Sequence, residues 1–418
     1  MNPAVKPGDC SKKMRMREHA LPLPRLRSSR CASFVASLGA ACLGSLMTCA
    51  IPARAEIAPE TLTVQRLATP ARPHWVWIND ISFDRMLDGR AYLIDADTGR
   101  FLGMISGGYG HGALQLSPDR DEIYVAETYL SRGSRGTRTD VLSIYSASEL
   151  KSVGEVEIPA KRFHGMPFLA SATLSDDGRF SYVYNFTPAQ SVTVVDVHAR
   201  RLSAEIQTPG CALVFPSSPR RFHMLCGDGA FLTVTLDESG APVSTTRTTP
   251  LFDAQKEPLL EKAVRSGARW YFVSTESRVH AFDVSADTPR ALELWSLVSD
   301  AERQETWRVG GLQPVALHEA RARLYVLMHQ GLQDTHKDPG TEVWVYDVAT
   351  LKRTARISLD EPLTSIAVSQ DEKPLLYGVS LGVPTLFVYD GVSGKPLRRV
   401  DGLGTTMTIV QTPARRTP

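Results

Sequence analysis

Beyond residue 70 the chain is a succession of short runs in which apolar and polar positions alternate, each run ended by a polar turn. No stretch keeps the 3.6-residue apolar period of a long amphipathic helix. Alternation with a period of two, in β-branched and aromatic residues, is the pattern of strands. It predicts an all-β protein. One unit recurs, a strand followed by a polar turn: Tyr92-Leu93-Ile94-Asp95, Leu142-Ser143-Ile144-Tyr145-Ser146, Val192-Thr193-Val194-Val195-Asp196, Leu232-Thr233-Val234-Thr235-Leu236, Val279-His280-Ala281-Phe282-Asp283, Val343-Trp344-Val345-Tyr346-Asp347 and Leu386-Phe387-Val388-Tyr389-Asp390. The last positions of these runs, 95, 146, 196, 236, 283, 347 and 390, are spaced by about 49 residues on average. A four-stranded propeller blade needs roughly 40–50 residues. Seven copies predict a seven-bladed β-propeller.

A second signal gives the order of strands within a blade. Leu116-Ser117-Pro118-Asp119-Arg120, Leu174-Ser175-Asp176-Asp177-Gly178 and Val368-Ser369-Gln370-Asp371-Glu372 are turns that close an inner strand, and each is followed by another strand. The first unit lacks an inner strand, because His74-Trp75-Val76-Trp77 reads as a second one. Thr405-Thr406-Met407-Thr408-Ile409-Val410 at the chain end is spare, and it is expected to complete the first blade. Such closure removes the exposed sheet edges that invite aggregation. Two blades are longer than the rest. Arg132–Arg138 and Gln330–Pro339 are insertions between second and third strands, so both emerge on one face of the disc. Long loops on a rigid scaffold are where binding usually resides, although solvated loops without a partner are the plainer reading.

Composition alters this picture mainly at the N-terminus. The 418 residues carry 47 basic and 45 acidic side chains, too balanced for a dedicated nucleic-acid binder. Residues 1–30 hold eight of the basic groups; the uncharged run Cys31–Ala50 follows, then Ala53-Arg54-Ala55. A basic segment, an apolar run and a small-x-small site form a secretory signal, with cleavage expected before Glu56; the competing reading is an uncleaved anchor. The chain thus divides into a signal at 1–55 and a propeller domain at 56–418, with no membrane attachment after processing. The mature chain keeps 38 basic and 43 acidic groups, a formal charge of −5. It also keeps only two of the six cysteines, Cys211 and Cys226. In an exported protein these are most simply one disulfide, with two buried thiols as the alternative.

No catalytic triad, phosphate loop or metal cluster stands out. His329 and His336 come nearest to a ligand pair, but a metal needs further ligands that the sequence does not place. Gly107-Gly108-Tyr109-Gly110-His111-Gly112 joins an outer strand to the next inner strand and precedes no helix, so it is not a phosphate cradle. It reads either as a tight turn needing positive φ or as an aromatic held on a loop near the propeller axis. Trp75, Trp77, Trp270, Trp295, Trp307 and Trp344 lie at alternating strand positions and read as core between blades.

Several stretches are more specific. Gly210-Cys211, Phe215-Pro216 and Phe222-His223-Met224-Leu225-Cys226-Gly227-Asp228-Gly229 resemble the disulfide region of the heavy subunit of quinoprotein amine dehydrogenases, the methylamine and aromatic amine enzymes. The stretches Arg135–Val141, Trp307–Gly311, Met328–Lys337, Val343–Val345 and Ser369–Tyr377 look like that family too, and the likeness spans about residues 75–410. The resemblance implies a propeller with no catalytic residue, no metal and no redox centre of its own. Tryptophan tryptophylquinone is then carried by a small light subunit, in a periplasmic assembly of two heavy and two light chains. That assembly oxidises primary amines to aldehyde and ammonia and passes electrons to a blue-copper protein of the amicyanin or azurin kind. It further implies that an aromatic side chain after the first blade lines the substrate channel. Tyr109 holds the matching position, where the family more often has Phe, a departure that bears on the channel's size and polarity. Ser369–Tyr377 looks closer to the methylamine enzymes, and Cys226–Gly229 and His329–Lys337 to the aromatic amine enzymes; the balance tips to methylamine. Two other classes remain beside this one: a self-sufficient propeller enzyme, and a propeller binding module without an enzymatic partner.

Overall fold

The computed structural model describes residues 65–413, apart from Asp84, His111, Asp119, Arg120 and Pro167. The leader at 1–55 and its cleavage site lie outside the described residues, as do Asp119 and Arg120 of the first turn signal. The strands assemble into seven antiparallel sheets of four or five strands, the blades of a propeller. Each of the seven recurring runs is the third strand of its blade, and each of the seven marked positions is that strand's last residue. The turn residues that end the runs were therefore a true register mark.

Alternation explains how each blade grips two neighbours. Successive side chains of a strand point to opposite faces of its sheet. In the second strand of blade 1, Trp75–Asp80, Trp75 and Trp77 enter a core shared with Ile123, Val125 and Tyr145 of blade 2. Val76 and Ile78, pointing the other way, enter a core shared with Tyr377, Leu386 and Val388 of blade 7. The same division recurs around the ring, as where Val279 and Tyr271 of blade 5 meet Leu324, Val326 and Trp344 of blade 6. Both faces are covered, so these strands are apolar on both sides and bury large side chains worth about 1.5–3 kcal/mol each. Five of the six tryptophans are buried in these cores as expected; Trp270 is half-buried against the core of blades 4 and 5, and its Nε1 donates to the Pro216 carbonyl at 3.0 Å.

Closure follows the sequence reading. Met407–Gln411 pairs antiparallel with Trp75–Asp80 and becomes the innermost strand of blade 1, followed outward by Gly89–Asp95 and Arg100–Gly107. Two glutamines tie it to other blades. Gln313 Nε2 donates to the carbonyls of Ile366 in blade 7 and Val410, and its Oε1 accepts from Val410 N. Gln411 accepts from Leu114 N at 2.9 Å and donates to Leu114 O at 2.7 Å, at the entry to blade 2. Cys211 and Cys226 are bonded and sit directly opposite each other on the first two strands of blade 4, stapling the mouth of a hairpin.

The antiparallel order sorts the connections into two sets. First-to-second and third-to-outer turns leave at one end of the sheets, here the turn face. Second-to-third connections, and those from an outer strand to the next inner strand, leave at the other end, the loop face. Both insertions and the Tyr109 loop lie on the loop face.

Candidate functional site

Tyr109 sits between the outer strand of blade 1, Arg100–Gly107, and the inner strand of blade 2, Gln115–Leu116. Here the chain has no sheet partner, so its polar groups must find others. Tyr109 N donates to Thr128 O at 2.8 Å, and Gly110 N donates to Met86 O at 2.9 Å. The glycines on either side are required by space. A Cβ on Gly108 would lie 2.5 Å from the Thr128 carbonyl and 3.0 Å from the Tyr129 ring. Gly110 has φ of +52°, and a Cβ there would lie 2.7 Å from the His164 carbonyl. The tight-turn and held-aromatic readings are thus the same structure. The half-buried Tyr109 ring meets the His164 ring edge-on, centroids 5.2 Å apart at 82°.

Beneath the loop lies a buried charge cluster. Arg162 is almost fully enclosed. Its Nη2 donates to the carbonyls of Tyr109 at 2.7 Å and Gly110 at 3.0 Å, its Nη1 to Phe163 O at 3.2 Å, and its Nε to Thr128 Oγ1 at 2.8 Å. Asp140, also buried, accepts from Thr128 Oγ1, from Arg162 N, and from Arg138 in a two-pronged pair at 2.8 and 2.7 Å. Arg138 Nη2 closes the cluster by donating to Arg162 O at 2.8 Å. Burial pulls Arg162 down to about 10, with Asp140 acting the other way, so the guanidinium remains charged at neutral pH. Burial also lowers His164, with Arg162 and Arg138 adding to the effect, which keeps that imidazole neutral. One strand away, buried Glu127 accepts from Tyr129 Oη at 2.6 Å and Tyr145 Oη at 2.9 Å, and its burial raises it above the usual carboxylate range.

The second insertion, 331–339, shapes the other part of the loop face. His329 Nε2 lies 2.9 Å from Thr335 Oγ1, and the Nδ1 atoms of His329 and His336 are buried without partners. Burial lowers both imidazoles. They do not converge on a shared point with further ligands: among the described residues no group of three or more His, Cys, Asp or Glu could hold a metal ion. Beside this loop opens a cavity of about 410 Å³ lined by Met166, Phe168, Lys262, Arg308, His336 and Lys337 among others. Lys262 lies 4.7 Å over the Phe168 ring.

A profile described as methylamine dehydrogenase heavy chain matches residues 73–414. The chain belongs to that family. It is 33% identical over 321 residues to the methylamine dehydrogenase heavy chain of Methylophilus methylotrophus, covering 76% of this chain and 78% of that one. The heavy chain of Paracoccus versutus is 32% identical over 325 residues, covering 77% and 75%. Among solved structures, a putative 6-phosphogluconolactonase from Bacteroides uniformis has a TM-score of 0.56 at 12% identity, covering 84% of this chain and 99% of that one. Dihydro-heme d1 dehydrogenase NirN has 0.52 at 15%, covering 82% and 66%. These likenesses show the fold alone. Family membership makes this a heavy subunit of the amine dehydrogenase kind and implies a light-chain partner. The family resemblance in Arg135–Val141 gains a physical content, since Arg138 and Asp140 build the cluster under the Tyr109 loop. Arg162 escaped sequence reasoning altogether: a lone Arg before Phe163-His164 in a loop gives no sign that it will be buried.

Proposed function

We propose that this chain is the heavy subunit of an exported amine dehydrogenase, seating a quinone-bearing light subunit on its loop face and lining the substrate channel with Tyr109. The family match over 73–414 carries this reading. Exposed apolar side chains support the choice of face. Phe83, Leu87, Met166, Phe186, Leu332 and Leu381 all lie in loop-face connections, with Leu332 in the second insertion 77% exposed. Val392 is exposed on the turn face as well, but six such groups in loop-face connections make that face the better candidate for an interaction surface. The light subunit would supply tryptophan tryptophylquinone, a two-electron acceptor with which a primary amine and water give aldehyde, ammonia and two protons. The tryptophans of this chain are committed elsewhere: the close pair Trp307 and Trp344, ring centroids 5.2 Å apart, is buried under Arg356. The heavy chain contributes position, not redox chemistry. It holds the partner rigidly and presents an aromatic wall against which an alkylammonium can be sized and desolvated.

The substrate is a small primary amine of the methylamine class, the location is the periplasm, and the assembly holds two heavy and two light chains, with a blue-copper protein as acceptor. Co-expression with a small, cysteine-rich exported protein encoded nearby should give a coloured complex that reduces a dye only when methylamine is present. The mature heavy chain alone should be inactive. Turnover by the isolated chain, or failure of any such partner to co-purify, would overturn the proposal. Within the complex, Tyr109→Ala should alter KM or the preference among amines while assembly is retained.

A further inference from the structure

We propose that Arg162 is the positioning residue for Tyr109, a buried clamp that fixes the aromatic wall and thereby sets which amines the channel admits; this rests on the channel reading above. The argument begins with the loop's backbone. Its two amides are satisfied by the carbonyls of Thr128 and Met86, but the carbonyls of Tyr109 and Gly110 face inward, where no strand runs alongside. A buried carbonyl needs a donor, and a single guanidinium nitrogen, Arg162 Nη2, reaches both. The same side chain is held by Thr128 Oγ1, whose neighbouring carbonyl takes the Tyr109 amide. The loop is thus gripped from its N–H and its C=O sides by groups that touch each other.

Arg162 is itself fixed by elements from two blades. Its backbone forms an isolated bridge to Asn185 at the end of the second strand of blade 3. Its amide and carbonyl are bound by Asp140 and Arg138, at the start of the third strand of blade 2, where the insertion 131–137 returns to the sheet. Two residues on, His164 backs the Tyr109 ring edge-on. One short segment, 162–164, therefore holds both the backbone and the ring. Displacing the loop backbone that carries the ring would require breaking the clamp, and turning the ring toward segment 162–164 would require moving His164. A burial this complete is costly for a cation, and here Asp140 and Glu127 lie near enough to offset part of that cost. An arginine kept at such cost next to the candidate channel wall, rather than an apolar filler, argues that geometry at Tyr109 is what it maintains.

The test compares Arg162→Lys, Tyr109→Ala and the double variant in the heavy–light complex, with two readouts. The first is hydrogen exchange at the Tyr109 and Gly110 amides. Lysine keeps the charge but cannot reach both carbonyls and Thr128, so protection there should fall roughly tenfold or more while the interior of Val383–Asp390 is unchanged. The second is the ratio of kcat/KM for methylamine to that for benzylamine. Arg162→Lys should shift it in the same direction as Tyr109→Ala, by roughly tenfold, and the double variant should go no further than Tyr109→Ala alone. Unchanged protection overturns the clamp whatever the kinetics. A shift with Tyr109→Ala and none with Arg162→Lys removes the selectivity role and leaves the channel reading standing. Should Tyr109→Ala itself change nothing, the channel reading falls and takes the selectivity role with it, while exchange still decides the clamp. If Arg162→Lys does not fold, Thr128→Val, which removes the Nε acceptor together with the hydroxyl's own bond to Asp140, must move both readouts the same way by a smaller factor.

Discussion

The two faces of the ring are built from the same strands yet follow different rules. On the turn face the connections are short, and those that follow the first strands of blades 3 and 7 share one device. Ser175 Oγ donates to Asp177 and accepts from Phe180 N, and Ser369 Oγ donates to Asp371 and accepts from Leu375 N. The serine and the aspartate satisfy locally the backbone groups that a reversal leaves open. Among the described residues the loop face shows no such repeat. Connections vary in length, charged groups are buried, and apolar side chains stand in solvent. The contrast teaches that closing the ring and meeting a partner are tasks given to opposite ends of the same strands, so changes at one end should act on stability and changes at the other on assembly and selectivity.

The closing strand should obey neither half of that division, because it serves both ends. Ending the chain at Leu403 removes the inner strand of blade 1 together with its bonds to Gln313 and Asn79. The expected loss is comparable to the whole stability of such a protein, about 5–15 kcal/mol. Cooperative unfolding in urea, followed by circular dichroism, should disappear; a retained transition would break the ring model.

His223 offers the next largest effect. It is buried toward the turn end of blade 4, with Nδ1 2.8 Å from Thr233 Oγ1 and Nε2 2.9 Å from Ser217 Oγ. Burial pushes its pKa down to about 3, and the neighbouring Arg221 and Arg265 add to this while Asp287 opposes it. Below about pH 6.5 the unfolded chain takes up a proton that the folded one refuses. Stability should then fall as pH drops toward 3, by up to about 1.4 kcal/mol per unit from this site. Urea midpoints measured between pH 7 and 4 should show the slope, and His223→Gln should flatten it. An identical slope in the variant would assign the acid sensitivity elsewhere.

Replacing both Cys211 and Cys226 by serine should cost about 3 kcal/mol, read as a lower thermal midpoint that reductant no longer shifts. Ser369→Ala removes one local pair of hydrogen bonds and should cost about 1 kcal/mol, with no change in amine preference. Leu332→Asp completes the series on the loop face. Its effect on heavy-chain stability should stay within about 0.5 kcal/mol, yet binding of the light subunit, followed by size-exclusion chromatography, should weaken at least tenfold. Equal effects of Ser369→Ala and Leu332→Asp on assembly would erase the distinction between the faces.

Much of this division was legible in the chain. The seven third strands, the turn signals at Ser175 and Ser369, and the spare strand at Met407 are local patterns, readable within a few residues. The insertions were legible as departures from the repeat, and Tyr109 as an aromatic between glycines. The signal at 1–55 is a reading of the sequence alone.

What the sequence determined by itself was the number of blades, their strand order and the way the ring is completed. Alternation and turn chemistry act over short distances, and seven repetitions leave little freedom in assembly. What only the tertiary structure decided was which distant groups meet inside that frame. Arg162 reaches the carbonyl of Tyr109 from 53 positions away, and Gln313 reaches Val410 from 97. Such contacts depend on where neighbouring blades place their ends, and a buried charge leaves no periodic trace in the chain that carries it.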